Sequence, residues 1–280
     1  MKIGIIGNGF VGKATYLLKC NDINIVSYDI NPELCNPLGT TLNDLMDCDF
    51  IFISVPTPMN KDGSCHTKIV ESVVNELNEL NYENFIVIRS TVPVGTCDKL
   101  NCYFMPEFLT EKNFERDFIN NENWIFGLLD NKRDFLFVKY MDSLINLAHD
   151  NNKIKYANTN YISNKEAEMV KLFRNCYLAT KVSFCNEVEQ FCNKKDMDYN
   201  KVIRYATLDD RITTSHTNVP GPDGKRGYGG TCFPKDINNL KYEMEKSNIK
   251  SYILKSVIER NEEVDRVEKD WNKNVGRSVI

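Results

Sequence analysis

Histidine is scarce in this sequence: His66, His149 and His216 are the whole supply. The ten cysteines are scattered, and no two are spaced C-x-x-C. Together these shortages argue against a zinc site, and no metal is expected. No apolar run approaches the length that spans a bilayer. The net charge of −4 lacks the basic excess that would attract nucleic acid or an anionic membrane. Met1 to Phe10 does not read as a signal peptide, because Gly7-Asn8-Gly9 breaks its short apolar stretch. Free thiols in a reducing cytoplasm are therefore expected. No internal repeat or low-complexity tract stands out.

What remains is an ordinary globular composition. The 280 residues are 42% hydrophobic and 26% charged, enough for one large domain or two ordinary ones. Lys2 to Ile6 is a run of strand formers, followed by Gly7-Asn8-Gly9-Phe10-Val11-Gly12 and a helical stretch to about Cys20. Asn24 to Tyr28 reads as the next strand, ending at Asp29. In this order, Gly7 permits a tight turn, Gly9 lets a pyrophosphate approach the backbone, and Gly12 lets helix and strand pack closely. Phe10 and Val11 begin the helix whose N-terminus attracts the phosphate. Asp29 is placed to bind both hydroxyls of an adenosine ribose, which favours NAD over NADP.

Strands and helices go on alternating, as in a doubly wound parallel sheet. Asp49 to Val55 reads as a buried strand ending in Pro56-Thr57-Pro58, either a ligand-side turn or a rigid loop. His66 to Leu80 is helical. Phe85 to Arg89 is a strand that runs into Ser90-Thr91-Val92-Pro93-Val94-Gly95, whose hydroxyls could bond a cofactor or cap a helix. Cys102 to Met105 leads to Pro106-Glu107-Phe108-Leu109, which sets a carboxylate at the mouth of the same sheet. Trp124 to Leu129 and Lys153 to Ala157 read as the last strands, with a helix from Asp134 to Ala148 between them.

The character changes near Asn158. The expected division is a dinucleotide-binding Rossmann domain over 1–157 and an all-helical domain over 158–280. Asn164 to Asn193 reads as one long helix, on which Lys171 and Asn175 are four apart and share a face. Asp198 to Thr207 is a shorter helix. Arg211 to Tyr228 is a loop long enough to suggest a function. Then comes Gly227-Tyr228-Gly229-Gly230-Thr231-Cys232-Phe233-Pro234-Lys235-Asp236. Pro234 opens a helix to about Lys246. Cys232 therefore sits at a helix's positive end with Lys235 one turn on, and both favour a nucleophilic thiolate. Asp236 could orient the lysine or a water. The bland reading is a glycine turn beside a buried thiol. A last helix is expected from Tyr252 to Trp271, with a frayed end.

These motifs, in this order and spacing, resemble the UDP-glucose dehydrogenases and related nucleotide-sugar dehydrogenases. The resemblance rests on the dinucleotide fingerprint, the Pro-Thr-Pro turn, Ser90 to Gly95, Pro106 to Leu109, Lys171 with Asn175, Asp210-Arg211-Ile212, and Gly229 to Asp236. It implies a four-electron oxidation of a nucleotide sugar by NAD, through a thiohemiacetal and a thioester on Cys232. UDP-glucose to UDP-glucuronate is the expected reaction. By the same resemblance, Thr91 and Glu107 handle water, Lys171 and Asn175 stabilise the oxyanion, and Asp236 positions water or assists deprotonation. Lys235 fits a site for anionic intermediates and lies on the cofactor side with Pro56, Thr57, Ser90 and Thr91. Phe108, Leu109, Glu111 and Gly229 would surround the sugar. Arg211 would reach a neighbouring subunit's substrate, which implies a homodimer built on the long helix.

The resemblance has one departure. A third domain usual in such enzymes would begin near Ile280, so the chain reads as a short form, and Lys225 and Arg226 are expected to meet the diphosphate in its place. Three alternatives stay open: UDP-N-acetylmannosamine or GDP-mannose as substrate, a two-electron dehydrogenase of hydroxyacid or 6-phosphogluconate type, and a non-catalytic binding protein.

Overall fold

A computed structural model describes residues 1–280. The chain divides into two compact units: residues 1–57 with 67–171, and residues 58–66 with 172–280. No helix is long and apolar enough to cross a membrane.

The first unit holds a seven-stranded sheet in the order β2-β1-β3-β4-β5-β6-β7. Its strands are β1 (Lys2–Ile6), β2 (Asn24–Tyr28), β3 (Phe50–Ile53), β4 (Phe85–Ile88), β5 (Tyr103–Phe104), β6 (Trp124–Leu128) and β7 (Thr159–Ser163). β1 to β5 run parallel; β6 is antiparallel to β5, and β7 is parallel to β6. The central strands are apolar throughout because both sheet faces are covered. Alternation then sorts their side chains. Ile3, Ile5, Phe50, Phe52, Phe85 and Val87 join one core with Phe137, Met141 and Leu144. Ile6, Ile51, Ile53, Ile86 and Ile88 join another with Val70, Val74 and Leu77. The helices of this unit are α1 (Phe10–Tyr16), α2 (Lys68–Glu79), α3 (Thr96–Lys99), α4 (Phe114–Ile119) and α5 (Asp134–Asp150). The strand order reverses between β1 and β3, which opens a ligand crevice at their carboxyl ends.

The long helix α6 (Asn164–Lys194) begins in the first unit and continues into the second. The second unit adds α7 (Tyr199–Ala206), α8 (Phe233–Lys246) and α9 (Tyr252–Arg260). The Asp198 side chain caps α7. A small core of Cys185, Cys192 and Tyr199 is closed by Val188, Ile203 and Val219.

Several boundaries differ from expectation. α1 ends at Tyr16, not near Cys20. Lys153–Ala157 is not a strand, because its backbone groups are engaged elsewhere. Lys153 N–H bonds the end of α5, Lys155 N–H bonds Ile119 O, and Tyr156 O accepts from the Trp124 indole. The edge strand is β7 instead, so the sheet extends past the expected break after Ala157. The start of α6 stays with it: Ala167 joins the second core, and Asn164 bonds Asp98 and Cys102 O. The last helix stops at Arg260 and widens into a π turn over Asn261–Asp265. The C-terminal residues are tied down, not frayed: Ser278 O accepts from Met59 N–H, and Ile280 N–H donates to Met59 O.

Candidate active site

At the carboxyl end of β1 the glycines divide the labour. Gly7 has φ +89°, a left-handed value that glycine adopts without strain. A Cβ at Gly12 would lie 2.1 Å from Gly7 O, so only glycine lets α1 close on the turn. A Cβ at Gly9 would meet nothing within 4 Å. The space above Gly9 is open where the first N–H groups of α1 point outward, and it fits a pyrophosphate. Asp29 closes β2 and accepts from Asn8 N–H at 2.7 Å and Asn31 N–H at 2.9 Å. The carboxylate is thus held beside the turn, where a ribose would meet it.

The two strand-end loops of this unit brace each other. The Thr57 hydroxyl donates to Thr91 O at 2.7 Å, and the Ser90 hydroxyl donates to Val55 O at 2.6 Å. Thr57, Ser90 and Thr91 are all buried, while Pro56 is exposed. The next residue back, Arg89, is 2% exposed. It reaches α1 through Val11 O and the Thr15 hydroxyl. Burial pulls its guanidinium down to about 10, which leaves it charged at neutral pH. Sequence reasoning passed over Arg89, although a charge closing an apolar strand was a visible signal.

Glu107 follows β5 and is 6% exposed. The Lys171 ammonium, equally sequestered, donates to Glu107 Oε1 at 2.5 Å and to Glu107 O at 2.8 Å. Leu109 N–H donates to Oε2 at 2.9 Å. Burial works to raise the Glu107 pKa. Lys171, the Leu109 bond and Arg89 outweigh it and hold the carboxyl below its ordinary range. Glu107 is therefore a buried carboxylate held in its ionised form by its partners. Leu109 itself leans on the first core, and Glu111 lies exposed in a one-turn 3₁₀ segment. Phe108, between Glu107 and Leu109, is half-buried.

In the second unit, Cys232 is the N-cap residue of α8, with Pro234 in the first turn. The thiol is half-buried, and the Thr231 hydroxyl lies 3.7 Å from its sulfur. Asp236 is 1% exposed. Its Oδ1 accepts from Lys235 Nζ at 2.6 Å and its Oδ2 from Asn175 Nδ2 at 2.5 Å. Burial works to lower the Lys235 pKa; the charge of Asp236, then those of Cys232 and Cys65, outweigh it and hold Lys235 above its ordinary range. A fixed ammonium therefore stands within electrostatic reach of the Cys232 sulfur. Burial pushes the Cys48 and Cys102 thiols up to about 12 and raises Cys176 as well. Those are inert core thiols; Cys232 has the setting of a nucleophile.

The expected substrate-loop residues have partners within the chain. Arg211 is exposed and bonds Asp209. Lys225 pairs with Glu268 at 3.0 Å and Asp270 at 2.8 Å. Arg226 pairs with Glu189 and bonds Asn186 O. Carboxylates brought in by α6 and by the segment after α9 neutralise both cations. Gly229 is half-buried, and a Cβ there would lie 2.6 Å from an Arg266 nitrogen. Arg266 and Asn261, which meet this loop, carried no local signal in the sequence.

Two family models match the chain. The NAD binding domain of the UDP-glucose/GDP-mannose dehydrogenase family matches residues 36–144, and that family's central domain matches residues 165–263. A UDP-glucose 6-dehydrogenase of Rickettsia prowazekii is 33% identical over 231 residues, covering 78% of this chain and 50% of the relative. One from Campylobacter jejuni is 28% identical over 301 residues, covering 94% of this chain and 72% of the relative. The chain thus spans about half the length of the first of these relatives. Among solved structures, a UDP-glucose dehydrogenase from Pyrobaculum islandicum shares the fold with a TM-score of 0.77. It is 24% identical, and the match covers 93% of this chain and 68% of that one.

Proposed function

Because the chain belongs to the UDP-glucose/GDP-mannose dehydrogenase family, with NAD as its cofactor, we propose that it oxidises a nucleotide sugar's primary alcohol to the carboxylate. UDP-glucose is the substrate we assign, and UDP-glucuronate the product. The observation that carries this reading is the setting of Cys232, a half-buried N-cap thiol beside the Lys235–Asp236–Asn175 cluster. A two-electron alcohol oxidation has no need of a cysteine nucleophile.

Two NAD molecules, bound in turn, would supply the hydride acceptors for the two oxidations. The chain's own groups do the rest. Asp236, held by Asn175 and Lys235, takes up the alcohol proton or orients the water that does. The Cys232 thiolate adds to the aldehyde carbon and gives a thiohemiacetal; the second oxidation leaves a thioester on the sulfur. Lys171 has three N–H groups, and two are engaged by Glu107, so one remains for a developing oxyanion. Glu107, already ionised, withdraws a proton from the water that cleaves the thioester, and Thr91 helps to place that water. Lys225 and Arg226 remain the candidates for the diphosphate and Gly229 for the sugar; phosphate would compete with Glu268, Asp270 and Glu189, which pair with the two cations.

The assembly we propose is a homodimer. Phe173, Tyr177, Phe184 and Phe191 are each more than half exposed and recur along α6 at helical spacing. A monomer rarely leaves such an aromatic row in water.

The test is the ratio of NADH formed to sugar consumed, run to completion with limiting UDP-glucose. A ratio of two, with UDP-glucuronate as product, is the expected result. A ratio of one would place the end point at the aldehyde and remove Cys232 from its role. Turnover of UDP-N-acetylmannosamine or GDP-mannose in place of UDP-glucose would keep the chemistry and change the substrate.

A further inference from the structure

We propose that Asn261 is a positioning residue for the Cys232 nucleophile, with Arg266 as its accessory. The inference rests on the reading of Cys232 given above. The chain from Gly227 to Cys232 contains three glycines and no regular element, so ordering it costs more backbone entropy than ordering most segments. Something outside the segment must hold it.

Asn261 does so with both ends of one side chain. It is fully buried. Its Nδ2 donates to Tyr228 O at 3.0 Å, and its Oδ1 accepts from Tyr228 N–H at 2.8 Å. A loop residue is thus bonded through both of its backbone groups, as a residue of a strand would be. Gly227 makes room for this contact: its φ is +64°, and a Cβ there would lie 2.3 Å from Asn261 Oδ1.

Arg266 extends the grip. Its side chain is 4% exposed and lies over Gly229, where a Cβ would be 2.6 Å from a guanidinium nitrogen. It donates to Arg226 O at 3.2 Å. Asp223 and Asp270 neutralise it at 2.6 Å and 3.0 Å, so the guanidinium holds the loop without presenting a bare charge. The π turn places the two residues: Arg266 N–H closes on Asn261 O at 2.7 Å, five residues back. This widening of the last helix turn has a purpose in the second unit, because π turns often serve functional sites.

Only three residues separate Tyr228 from Cys232. A misplacement of about 1 Å at a reacting atom costs roughly a hundredfold in rate. Loss of the Asn261 grip is therefore expected to reach the sulfur.

The test uses the full chain with NAD and UDP-glucose. In the unsubstituted protein, the Tyr228 amide should resist hydrogen exchange as the α8 amides do. In Asn261→Ala, Tyr228 protection should be lost while α8 protection persists, and kcat should fall about 10- to 100-fold with the KM for NAD unchanged. An unprotected Tyr228 amide in the unsubstituted protein would overturn the proposal, as would full kcat in Asn261→Ala. A variant that merely melts lower but keeps kcat would reduce Asn261 to a structural residue. If Asn261→Ala does not fold, Arg266→Gln takes its place, and faster Tyr228 exchange with lowered kcat is again the supporting result. If no nucleotide sugar turns over at all, the role of Cys232 fails, and Tyr228 exchange still decides whether Asn261 holds the loop.

Discussion

In the proposed reaction Glu107 acts as base, and in its buried place Lys171, the Leu109 N–H and Arg89 favour its ionised form. Replacing Lys171 by methionine removes the ion-pair partner of that buried carboxylate and should cost about 3–5 kcal/mol in urea unfolding. Replacing Glu107 by glutamine should spare acylation and slow hydrolysis, so that a sugar-nucleotide thioester accumulates on Cys232 and shows as added mass on its peptide. If no adduct accumulates, the base is another group. Asp270 carries a pH signature of its own. Its hydrogen bond with Arg266, acting against burial and helped by Lys225, pulls its carboxyl down to about 2. An unfolded aspartate titrates near 3.9, so the folded state binds the proton less tightly. The stability this confers is present above about pH 4 and is lost as pH falls toward 2, roughly 2 kcal/mol in all. Asp270→Asn should flatten the acid limb of the stability curve across that window. An unchanged limb would show that the pairing with Arg266 contributes nothing.

At the scale of the element, the start of α3 depends on a side chain from another helix. Glu168 of α6 is fully buried, and its two oxygens accept from Gly95 N–H at 2.5 Å and Cys97 N–H at 2.8 Å. Glu168→Ala would bury two unpaired donors and should cost about 2–4 kcal/mol, read by urea unfolding. A loss under about 0.5 kcal/mol would mean that water replaces the carboxylate. Elements with a period or a cap of their own were legible in the sequence: β1 to β4, α2, α5, α6 and α8 all lie close to where the patterns put them. Misreadings occurred where a distant partner decided. Lys153–Ala157 has strand-like residues, but Trp124 and Ile119 take its backbone groups. The last helix has the periodicity to run on, but Asn261 turns inward to Tyr228 and the helix widens there.

For the whole molecule, the exposed aromatic row of α6 makes the sharpest prediction. The native chain should sediment as a dimer, and Phe184→Glu combined with Phe191→Glu should yield a monomer that keeps its helical signal. A native monomer at micromolar concentration would remove that interface and leave Arg211 without the neighbour the family resemblance assigns to it.

Local order set much of this protein from the sequence alone. The G-x-G-x-x-G turn, the acid after β2, the apolar parallel strands and the cysteine ahead of a proline-opened helix each depend on residues within a few positions of one another. Near-neighbour sterics and hydrogen bonding act over that range. Partnerships between distant segments were decided by the tertiary structure. Lys171 meets Glu107 across 64 residues, Asn175 meets Asp236 across 61, and Lys225 meets Asp270 across 45. A charge in a loop looks alike in sequence whether it awaits a diphosphate or a carboxylate. Only the returning chain brings the carboxylates of residues 268 and 270 to within 3.0 Å of Lys225.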